Sequence, residues 1–332
     1  MLNHKSILIT GGTGSFGKKF IETVFERYEP KKVIVYSRDE LKQFEMQQGA
    51  SAAAKDRLKF FIGDIRDESR LTIACRGVDL VVHAAALKQV VAAEYHPIEC
   101  IRTNILGAEN VVQAALACGV SQVIALSTDK AVNPVNLYGA SKLAADKIFV
   151  AANQIGAATQ QKFSVVRYGN VLGSRGSIVP LLLEARKNRV ARFAITDKRM
   201  TRFWITLNQG VHFVSKCIER AIGGEIFIPK IPSMGLVEMV DAILPDIVHD
   251  EVGIRPGEKI HETLITNDDA RLTIELDDSF VIEPANLDHW DARPYLDRGG
   301  KRVSADFCYS SDFNESWMSA DELSELLALS EA

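Results

Sequence analysis

The sequence lacks three features, each of which would define a class of protein. No stretch approaches the roughly 18 consecutive apolar residues that a membrane-spanning helix needs, so we expect no membrane span. The 5 cysteines are scattered singly along 332 residues, which argues against a disulfide framework and against a metal site. Lysine and arginine (39) nearly balance aspartate and glutamate (43). Such a balance is not that of a nucleic-acid surface, so we expect no nucleic-acid partner.

What the chain does contain is typical of a soluble globular protein. Apolar residues make up 47% and charged residues 25%, which are ordinary proportions. The length suits one large domain or two unequal ones. The first residues, MLNHKSILIT, lead directly into an apolar strand and lack the layout of a signal peptide. We therefore expect a cytoplasmic protein with reduced cysteines.

A glycine-rich turn lies near the N-terminus, between an apolar run (residues 6–10) and a predicted helix (residues 18–28). Its glycines follow the spacing G-x-x-G-x-x-G, and residues without a Cβ allow backbone N–H groups to approach a pyrophosphate at the helix N-terminus. Between a strand and a helix, this pattern predicts a dinucleotide site. The residues assigned to it are Gly11, Thr13, Gly14, Ser15, Phe16 and Gly17.

The second predicted strand, residues 32–36, ends at Ser37, Arg38 and Asp39. NAD-binding sheets place an acidic residue here for the ribose 2′-hydroxyl, whereas an arginine suits the 2′-phosphate of NADP. Arg38, supported by Ser37, therefore favours NADP. Asp39 leaves NAD as an alternative, and an exposed loop without a binding role is a further one. Lys42 is included in the same predicted site.

Asp64 and Ile65 follow the third predicted strand, residues 58–62, and both are assigned to the cofactor site. The Asp64 carboxylate is placed to bond the adenine amine. It could equally cap the helix that is predicted from about residue 69 to 76.

Small residues follow the fourth predicted strand and let a flat ring lie against the backbone, Ala84 and Ala86 among them. Lys88 could then reach the cofactor or a substrate phosphate or hydroxyl, the alternative being a solvated surface lysine. His83, in an otherwise apolar strand, is interpreted as a buried histidine with its hydrogen bond satisfied rather than as a catalytic one. Two further residues are assigned to the cofactor site, Thr103 and Asn104. The amide of Asn104 is expected to brace the sheet.

The segment around which the rest of the chain is organised is Ser127–Lys142, STDKAVNPVNLYGASK. It follows an apolar run, residues 123–126, that is typical of a buried parallel strand, so it begins at the strand end where ligands bind in open α/β sheets. Tyr138 and Lys142 lie four residues apart in a predicted helix (residues 137–150) and share a face. A phenol beside a cation ionises more easily, and a phenolate can take a proton from a sugar hydroxyl while hydride leaves for a cofactor. Chance spacing is the alternative.

The regular alternation of strands and helices stops after a strand at residues 163–167. The loop that follows is rich in glycine and contains Asn170 and Arg175, which indicates a ligand-binding loop. We therefore divide the chain into residues 1–170 and residues 171–332. The predicted fold is α/β, a Rossmann-type doubly wound parallel sheet with a smaller α/β C-terminal substrate-binding region, some elements of which could return to the sheet.

Two charged segments of the C-terminal region are candidates for binding a nucleotide. Arg202 belongs to a cluster of basic and aromatic side chains that could face a base and a diphosphate, although a solvated turn would fit the same pattern. Arg255 and Glu258 flank a glycine. Arginine gives bidentate contacts to phosphate, and a carboxylate can hold sugar hydroxyls.

Together these motifs resemble the extended short-chain dehydrogenase/reductase superfamily, through the glycine fingerprint, the Ser-Thr-Asp before Tyr138 and Lys142, and the strand end Arg167–Asn170. Within it, nearly the whole chain is similar to the inverting UDP-N-acetylglucosamine 4,6-dehydratases of the pseudaminic acid pathway. The segments that carry this narrower similarity are Val35–Lys42, His83–Lys88, Ser127–Lys130, Thr201–Thr206 and Ile254–Glu262. The most specific element is Asp129-Lys130, because retaining relatives have Asp-Glu there.

The resemblance implies roles for four residues. Tyr138, assisted by Lys142, deprotonates the sugar 4-hydroxyl as hydride passes from C4 to NADP. Lys130 then removes the C5 proton and Asp129 helps the 6-hydroxyl leave as water, after which hydride returns to C6 and C5 is reprotonated on the opposite face. The residues implied to hold UDP-N-acetylglucosamine are Lys88, Thr128, Asn170, Arg202, Arg255 and Glu258.

The resemblance also implies a product, UDP-2-acetamido-2,6-dideoxy-β-L-arabino-hex-4-ulose, that begins pseudaminic acid biosynthesis for flagellin glycosylation, and a homo-oligomer, a hexamer in the family. Alternatives are a retaining 4,6-dehydratase or a 4-epimerase acting on a UDP-sugar, and a non-catalytic NADP(H)-binding sensor. The complete set of Asp129, Lys130, Tyr138 and Lys142 argues against the sensor. A lysine must be neutral to act as a base, and burial near Lys142 would lower the pKa of Lys130.

Overall fold

The structure, a computed structural model, describes residues 2–156, 160–174, 176–285, 287 and 290–331. Arg175 of the predicted ligand-binding loop lies outside these described residues. The helices are α1 Ser15–Arg27, α2 Glu40–Gln48, α3 Ala52–Lys55, α4 Glu68–Cys75, α5 Val90–Tyr95, α6 Pro97–Ile101, α7 Gly107–Cys118, α8 Leu137–Gly156, α9 Ile178–Lys187, α10 Leu207–Arg220, α11 Leu236–Ile243, α12 Asn267–Ala270, α13 Arg293–Leu296 and α14 Ala320–Glu331. A π-helical turn spans Arg102–Leu106 and a 3₁₀ turn spans Asp129–Ala131.

The strands are β1 Ser6–Thr10, β2 Lys32–Ser37, β3 Leu58–Ile62, β4 Leu80–His83, β5 Gln122–Thr128, β6 Lys162–Tyr168, β7 Asn170–Val171, β8 Arg192–Ile195, β9 Thr201–Ile205, β10 Ile226–Pro229, β11 Ser233–Gly235, β12 Val248–Glu251, β13 Thr263–Ile265, β14 Thr273–Glu275, β15 Ser279–Ile282, β16 Lys301–Arg302 and β17 Tyr309–Ser310. In the described part of the chain, no helix is both long enough and apolar enough to cross a bilayer.

Ten of the strands form one sheet, in the order β16-β14-β15-β10-β6-β5-β4-β1-β2-β3. From β3 to β10 every neighbouring pair is parallel, whereas β15, β14 and β16 are added antiparallel. The order 3-2-1-4-5-6 is that of a Rossmann sheet, which places its ligands across the carboxyl ends of its strands. The predicted fold class is therefore confirmed.

Helices cover both faces of this sheet, which explains why its strands are apolar throughout. All five residues of β1 are buried, as expected for a parallel strand with helices on each side. The helices α8 and α10 both contact β5 and β6, while α7 packs against α8 and α1 packs against α10. The hydrophobic core therefore runs along the whole sheet, and the strand ends remain as the place for polar chemistry.

The C-terminal part of the chain contributes to the sheet and also builds a second, smaller core. The strands β10, β14, β15 and β16 lie in the large sheet although they follow residue 170. A separate cluster of buried side chains joins α9, α11 and α14 to β8 and β9, and it includes Trp204 and Met239. The division into residues 1–170 and 171–332 stays a prediction, because strands from both sides of it share one sheet.

Several helix boundaries differ from the sequence-based expectations. The helix α4 begins one residue earlier than predicted, and Asp67 caps it by accepting a hydrogen bond from the Arg70 N–H at 2.9 Å. The alternative role of Asp64 as this cap is therefore wrong. The helix α8 continues to Gly156 rather than ending near Val150, because its inner face stays buried over this whole length.

A glycine fixes how closely α8 approaches the 3₁₀ turn after β5. A Cβ at Gly139 would lie 2.1 Å from the carbonyl oxygen of Lys130, closer than any real contact. Gly139 therefore allows the helix that carries Tyr138 to pack directly on the turn that carries Lys130. The two residues are held at a set separation by backbone contact rather than by flexible side chains.

We expect Gly139→Ala to lower the free energy of unfolding by about 1–3 kcal/mol, since the added methyl group forces α8 away from the turn. Gly210→Ala is the matched control, because a Cβ at this helical glycine would meet nothing closer than 3.9 Å. That control should gain about 0.5–1 kcal/mol from the helix propensity of alanine. Urea unfolding of both variants measures the difference. Equal stability of Gly139→Ala and the unmodified chain would contradict the packing argument.

Candidate active site

A cleft of about 920 Å³ lies at the carboxyl edge of the parallel strands. Its other wall comes from the C-terminal region, including residues of α9 and β8. Every site residue predicted from the sequence lines this cleft except Asn104 and Asp129, both of which are buried behind its surface. The structure thus brings together residues from both halves of the chain.

The glycine fingerprint forms a tight turn at the floor of the cleft. Gly11 has a φ of +67° and a Cβ there would lie 2.9 Å from the Cα of Ala85, so both the conformation and the space require glycine. A Cβ at Gly17 would lie 2.5 Å from the Cα of Gly12. The helix α1 begins at Ser15 and its first turn lines the cleft. Its N-terminal N–H groups can hold a diphosphate.

The polar side chains at the end of β2 differ in whether other residues already engage them in hydrogen bonds or ion pairs. Asp39 caps α2, accepting from the Lys42 N–H at 3.0 Å, and also forms an ion pair with the Lys42 ammonium. The Ser37 hydroxyl accepts a hydrogen bond from Gln43 at 3.0 Å. The Arg38 guanidinium is 55% exposed and lies 3.5 Å from the Asp64 carboxylate. An arginine is therefore presented to the cleft while the neighbouring aspartate is engaged.

Asp64 serves mainly as an anchor for arginines at the rim of the cleft. It accepts hydrogen bonds from the Arg66 side chain at 2.9 and 2.6 Å. Burial pushes the pKa of Asp64 upward, but the hydrogen bonds from Arg66 and the charge of Arg38 hold that pKa below its ordinary value. Asp64 is thus a carboxylate between two guanidinium groups, and its contact with adenine stays a prediction.

The residues around β4 hold the cleft wall. His83 is buried, its Nδ1 lies 2.8 Å from the Thr10 hydroxyl, and burial lowers its pKa to about 3. The interpretation as a satisfied, neutral buried histidine is confirmed. Asn104 accepts from the Leu87 N–H and donates to the Leu87 carbonyl, both at 2.8 Å, and donates to the Ser141 hydroxyl at 2.9 Å. It therefore braces the loop after β4 against α8, and not the sheet as expected.

Tyr138 and Lys142 both lie in the cleft, on the face of α8 that meets β5. The Lys142 ammonium donates to the Leu126 carbonyl at 2.7 Å, and burial lowers its pKa. Burial raises the pKa of Tyr138 to about 12, and the charge of Lys130 and a hydrogen bond with Thr128 offset only part of that rise. The expectation that this phenol ionises below its ordinary pKa is wrong here, because desolvation outweighs the nearby cations.

Lys130 lies in a cage of oxygen atoms. Its ammonium donates to the Asp129 carboxylate at 3.1 Å and to the Asn170 side-chain oxygen at 3.2 Å, and lies 3.5 Å from the Glu262 carboxylate. Burial pushes the pKa of Lys130 downward, but Asp129 and Glu262 raise it further than burial lowers it. The expected fall in the pKa of Lys130 does not occur, and the side chain is an ammonium ion.

Two residues of this cluster were not among the predicted site residues. Glu262 and Lys259 both line the cleft, and their charged groups lie 3.7 Å apart. The sequence shows only that both belong to a short charged segment after Gly257. Nothing in that pattern indicates that Glu262 is buried beside Lys130, since this proximity comes from a segment more than a hundred residues away.

The predicted substrate residues of the C-terminal region have different environments. The Arg202 guanidinium donates to the carbonyls of Ile260 and Lys259, at 2.8 and 2.9 Å, and so fixes the loop that precedes Glu262. Arg255 is 63% exposed at the rim and lies 3.8 Å from Glu258. Two more of the predicted residues line the cleft near the centre of the parallel sheet: Thr128 and Lys88.

Similarity to known proteins shows the family of this chain. A family described as polysaccharide biosynthesis protein has a model that matches residues 7–284. This chain belongs to that family. Its relatives include a protein named UDP-N-acetylglucosamine 4,6-dehydratase (inverting) from Campylobacter jejuni, which is 52% identical over 331 residues, or 98% of each chain.

Two further similarities extend this family assignment. A protein named UDP-glucose 4-epimerase from Rickettsia canadensis is 38% identical over 335 residues, covering 98% of this chain and 96% of its own. Among solved structures, Pen from Bacillus thuringiensis superposes with a TM-score of 0.89 at 35% identity, over 100% of this chain and 99% of that one. The resemblance derived from the sequence motifs is confirmed.

Proposed function

We propose that this chain is a UDP-N-acetylglucosamine 4,6-dehydratase that inverts the configuration at C5. The observation that carries the proposal is that Tyr138, Lys142 and Lys130 all line one cleft. Asp129, buried beneath the cleft surface, accepts a hydrogen bond from the Lys130 ammonium. The 52% identity with the Campylobacter jejuni protein of that name supports the same choice. The proposal includes the product UDP-2-acetamido-2,6-dideoxy-β-L-arabino-hex-4-ulose, a place at the start of pseudaminic acid biosynthesis and a cytoplasmic homo-oligomer.

The cofactor in this proposal is NADP. The fingerprint turn and the start of α1 suit a diphosphate, and the exposed Arg38 suits a 2′-phosphate. Asp39, the residue that would favour NAD, is already occupied by capping α2 and by its ion pair with Lys42. NADP held by these residues would supply a group that can take up and give back the hydride of the sugar.

Tyr138 is proposed to take the proton of the sugar 4-hydroxyl. To do so it must be a phenolate, although burial, its largest influence, raises its pKa to about 12. The Lys130 ammonium and the Thr128 hydroxyl are the groups of the chain that favour the phenolate. The oxidation step therefore depends on the charge of Lys130 as well as on Tyr138 itself.

Lys130 and Asp129 are proposed to carry out the elimination. One proton that passes along their 3.1 Å hydrogen bond would turn the ammonium and the carboxylate into an amine and a carboxylic acid. The amine can remove the C5 proton, which the 4-keto group has made acidic, and the acid can protonate the departing 6-hydroxyl. That proton would arrive at the Asp129 oxygen that accepts the hydrogen bond, while the second carboxylate oxygen is buried without a hydrogen-bond partner in the described structure.

The reaction itself is tested with UDP-N-acetylglucosamine and NADP in D₂O. We expect the substrate to lose one water, the product to carry deuterium at C5, and the hydrogen that arrives at C6 to come from C4. Ring proton couplings in the NMR spectrum should show the L-arabino configuration. A D-xylo product would instead establish a retaining enzyme. An unchanged mass would favour the 4-epimerase, the second candidate, which the 38% identity with the Rickettsia protein supports.

The two chemical steps should separate in variants. Tyr138→Phe removes the group that accepts the 4-hydroxyl proton, so a single turnover should show no transient NADPH absorbance. Lys130→Ala keeps the phenol but removes the proposed base, so NADPH should form more slowly and then accumulate while water loss falls by about a hundredfold or more. Water loss at the unmodified rate in Lys130→Ala would reduce Lys130 to a structural neighbour.

Arg38→Ala should weaken NADP far more than NAD. A charge-assisted contact to phosphate contributes about 1.5–3 kcal/mol, which corresponds to a loss of roughly tenfold or more in NADP affinity. Arg293→Ala is the control, because this arginine is 80% exposed, pairs with Asp291 and does not line the cleft. Calorimetric titration with both cofactors provides the comparison. An equal loss for NAD and NADP would remove the assignment of Arg38.

A further inference from the structure

Glu262 is a buried carboxylate that the proposed chemistry has not used. Its residue is 3% exposed, and the Oε2 atom has no hydrogen-bond partner in the described structure. A buried charge without a full set of donors is costly, so such a group in a native protein calls for an explanation. The geometry around Lys130 supplies one.

The cage around Lys130 is built from three separate parts of the chain. Asp129 comes from the turn after β5, Asn170 from β7, and Glu262 from the residue before β13. The Lys130 ammonium donates hydrogen bonds to Asp129 and Asn170 and forms an ion pair with Glu262 at 3.5 Å. Glu262 is the part of the cage that is supplied by the C-terminal region.

The backbone of Glu262 is held firmly enough to place its carboxylate. Its N–H donates to the Ser311 hydroxyl at 2.9 Å, and its carbonyl accepts from the Ser311 N–H at 2.8 Å. The Ser311 hydroxyl also lies 2.7 Å from that of Thr201. The segment after β17 therefore locks Glu262 against β9, and the carboxylate is directed at the cleft by this frame.

Other charged groups face Lys130 as well, and they act in both directions. Asp129 and Glu262 favour the ammonium, whereas Arg202 disfavours it, as does burial. Lys259 and Arg202 also pair with Glu262, with their nitrogens 3.7 and 3.9 Å from its oxygens. Tyr138, from α8, is neutral at ordinary pH. The cluster therefore holds two carboxylates and three cations, a net charge of +1, and removing one carboxylate raises the net charge around Lys130 to +2.

We propose that Glu262 is a positioning residue for Lys130. The Glu262 carboxylate keeps the Lys130 side chain charged and holds it in place between β5 and the C-terminal region. The inference rests on the proposed dehydratase, in which Lys130 acts on the C5 proton. Glu262 acts through Lys130 and takes no part in bond making. Its effect is to keep a flexible lysine fixed and charged while the phenol of Tyr138 ionises.

The direct test follows the titration of the Lys130 amine without any substrate. Competitive labelling with acetic anhydride across a pH series, with mass spectrometry of the peptide that contains Lys130, gives the midpoint of its ionisation. Glu262→Gln removes the charge but keeps the shape, so the midpoint should fall by about one pH unit or more. Glu262→Asp keeps the charge and should stay nearer the unmodified midpoint. Glu225→Gln is the control for a buried glutamate outside the cleft and should leave the midpoint unchanged.

The second readout is the reaction in single turnovers. A neutral amide holds an ammonium less firmly than a carboxylate does, and displacement of a catalytic group by about 1 Å can cost up to a hundredfold. We expect Glu262→Gln to slow water loss at least about tenfold and to slow NADPH formation much less. Glu225→Gln should change neither rate. An unchanged midpoint, or unchanged water loss, would overturn the proposal.

The test remains decisive if a variant does not fold. In the unmodified chain, the midpoint of Lys130 should lie above the ordinary pKa of lysine, and a midpoint below that value overturns the role of Glu262 without any variant. Failure of the dehydratase proposal is distinguishable from this result. It would appear as no water loss from UDP-N-acetylglucosamine by the unmodified chain, whatever the labelling of Lys130 shows.

Discussion

The chemistry of this cleft depends on one ion cluster, in which the Lys130 ammonium is shared by the carboxylates of Asp129 and Glu262. Either carboxylate alone would lie in a costly environment, since Asp129 is fully buried and Glu262 nearly so. Together with Lys130 they form a mutually compensated set. Because the three groups belong to the sheet edge and to the C-terminal region, the cluster also joins the two parts of the chain across the cleft.

The central sheet provides the rigid frame for this cluster. The turn that carries Asp129 and Lys130 follows β5, which pairs with β4 on one side and with β6 on the other. The close contact of Gly139 with the Lys130 carbonyl then fixes α8 against that turn. Tyr138 is therefore placed relative to Lys130 by backbone packing, which tolerates far less movement than a pair of long side chains on separate loops.

The pKa values of Tyr138 and Lys130 both differ from what the most obvious feature of each environment would suggest. Tyr138 lies near cations and yet keeps its proton to about pH 12, because burial dominates. Lys130 is largely buried and yet stays charged, because two carboxylates dominate. Both states differ from those the proposed reaction needs, a phenolate and an amine. Substrate and cofactor must therefore shift both groups, and the Lys130–Asp129 hydrogen bond gives the lysine proton a place to go.

The sequence by itself determined the local parts of this protein. The fingerprint Gly11–Gly17, the strand β5 and the pair Tyr138 and Lys142 depend on residues close together in the chain, whose spacing follows from strand and helix geometry. The predicted fold class is confirmed, and nearly all the predicted site residues line the cleft, while their roles stay predictions. The alternative role of Asp64 failed because Asp67, three residues on, was the better-placed cap.

Only the tertiary structure decided the charge states and the long-range partners. Asn104 lies in a π-helical turn that no spacing rule indicates, and it binds the loop after β4 rather than the sheet. Glu262 meets Lys130 only because the residue before β13 and the segment after β17 fold back onto β9. The pKa of a buried group depends on all of its surroundings. Desolvation disfavours the charged form and a nearby opposite charge favours it, and both effects are large. Their balance cannot be read from neighbours in sequence, because the groups that set it are brought together by folding.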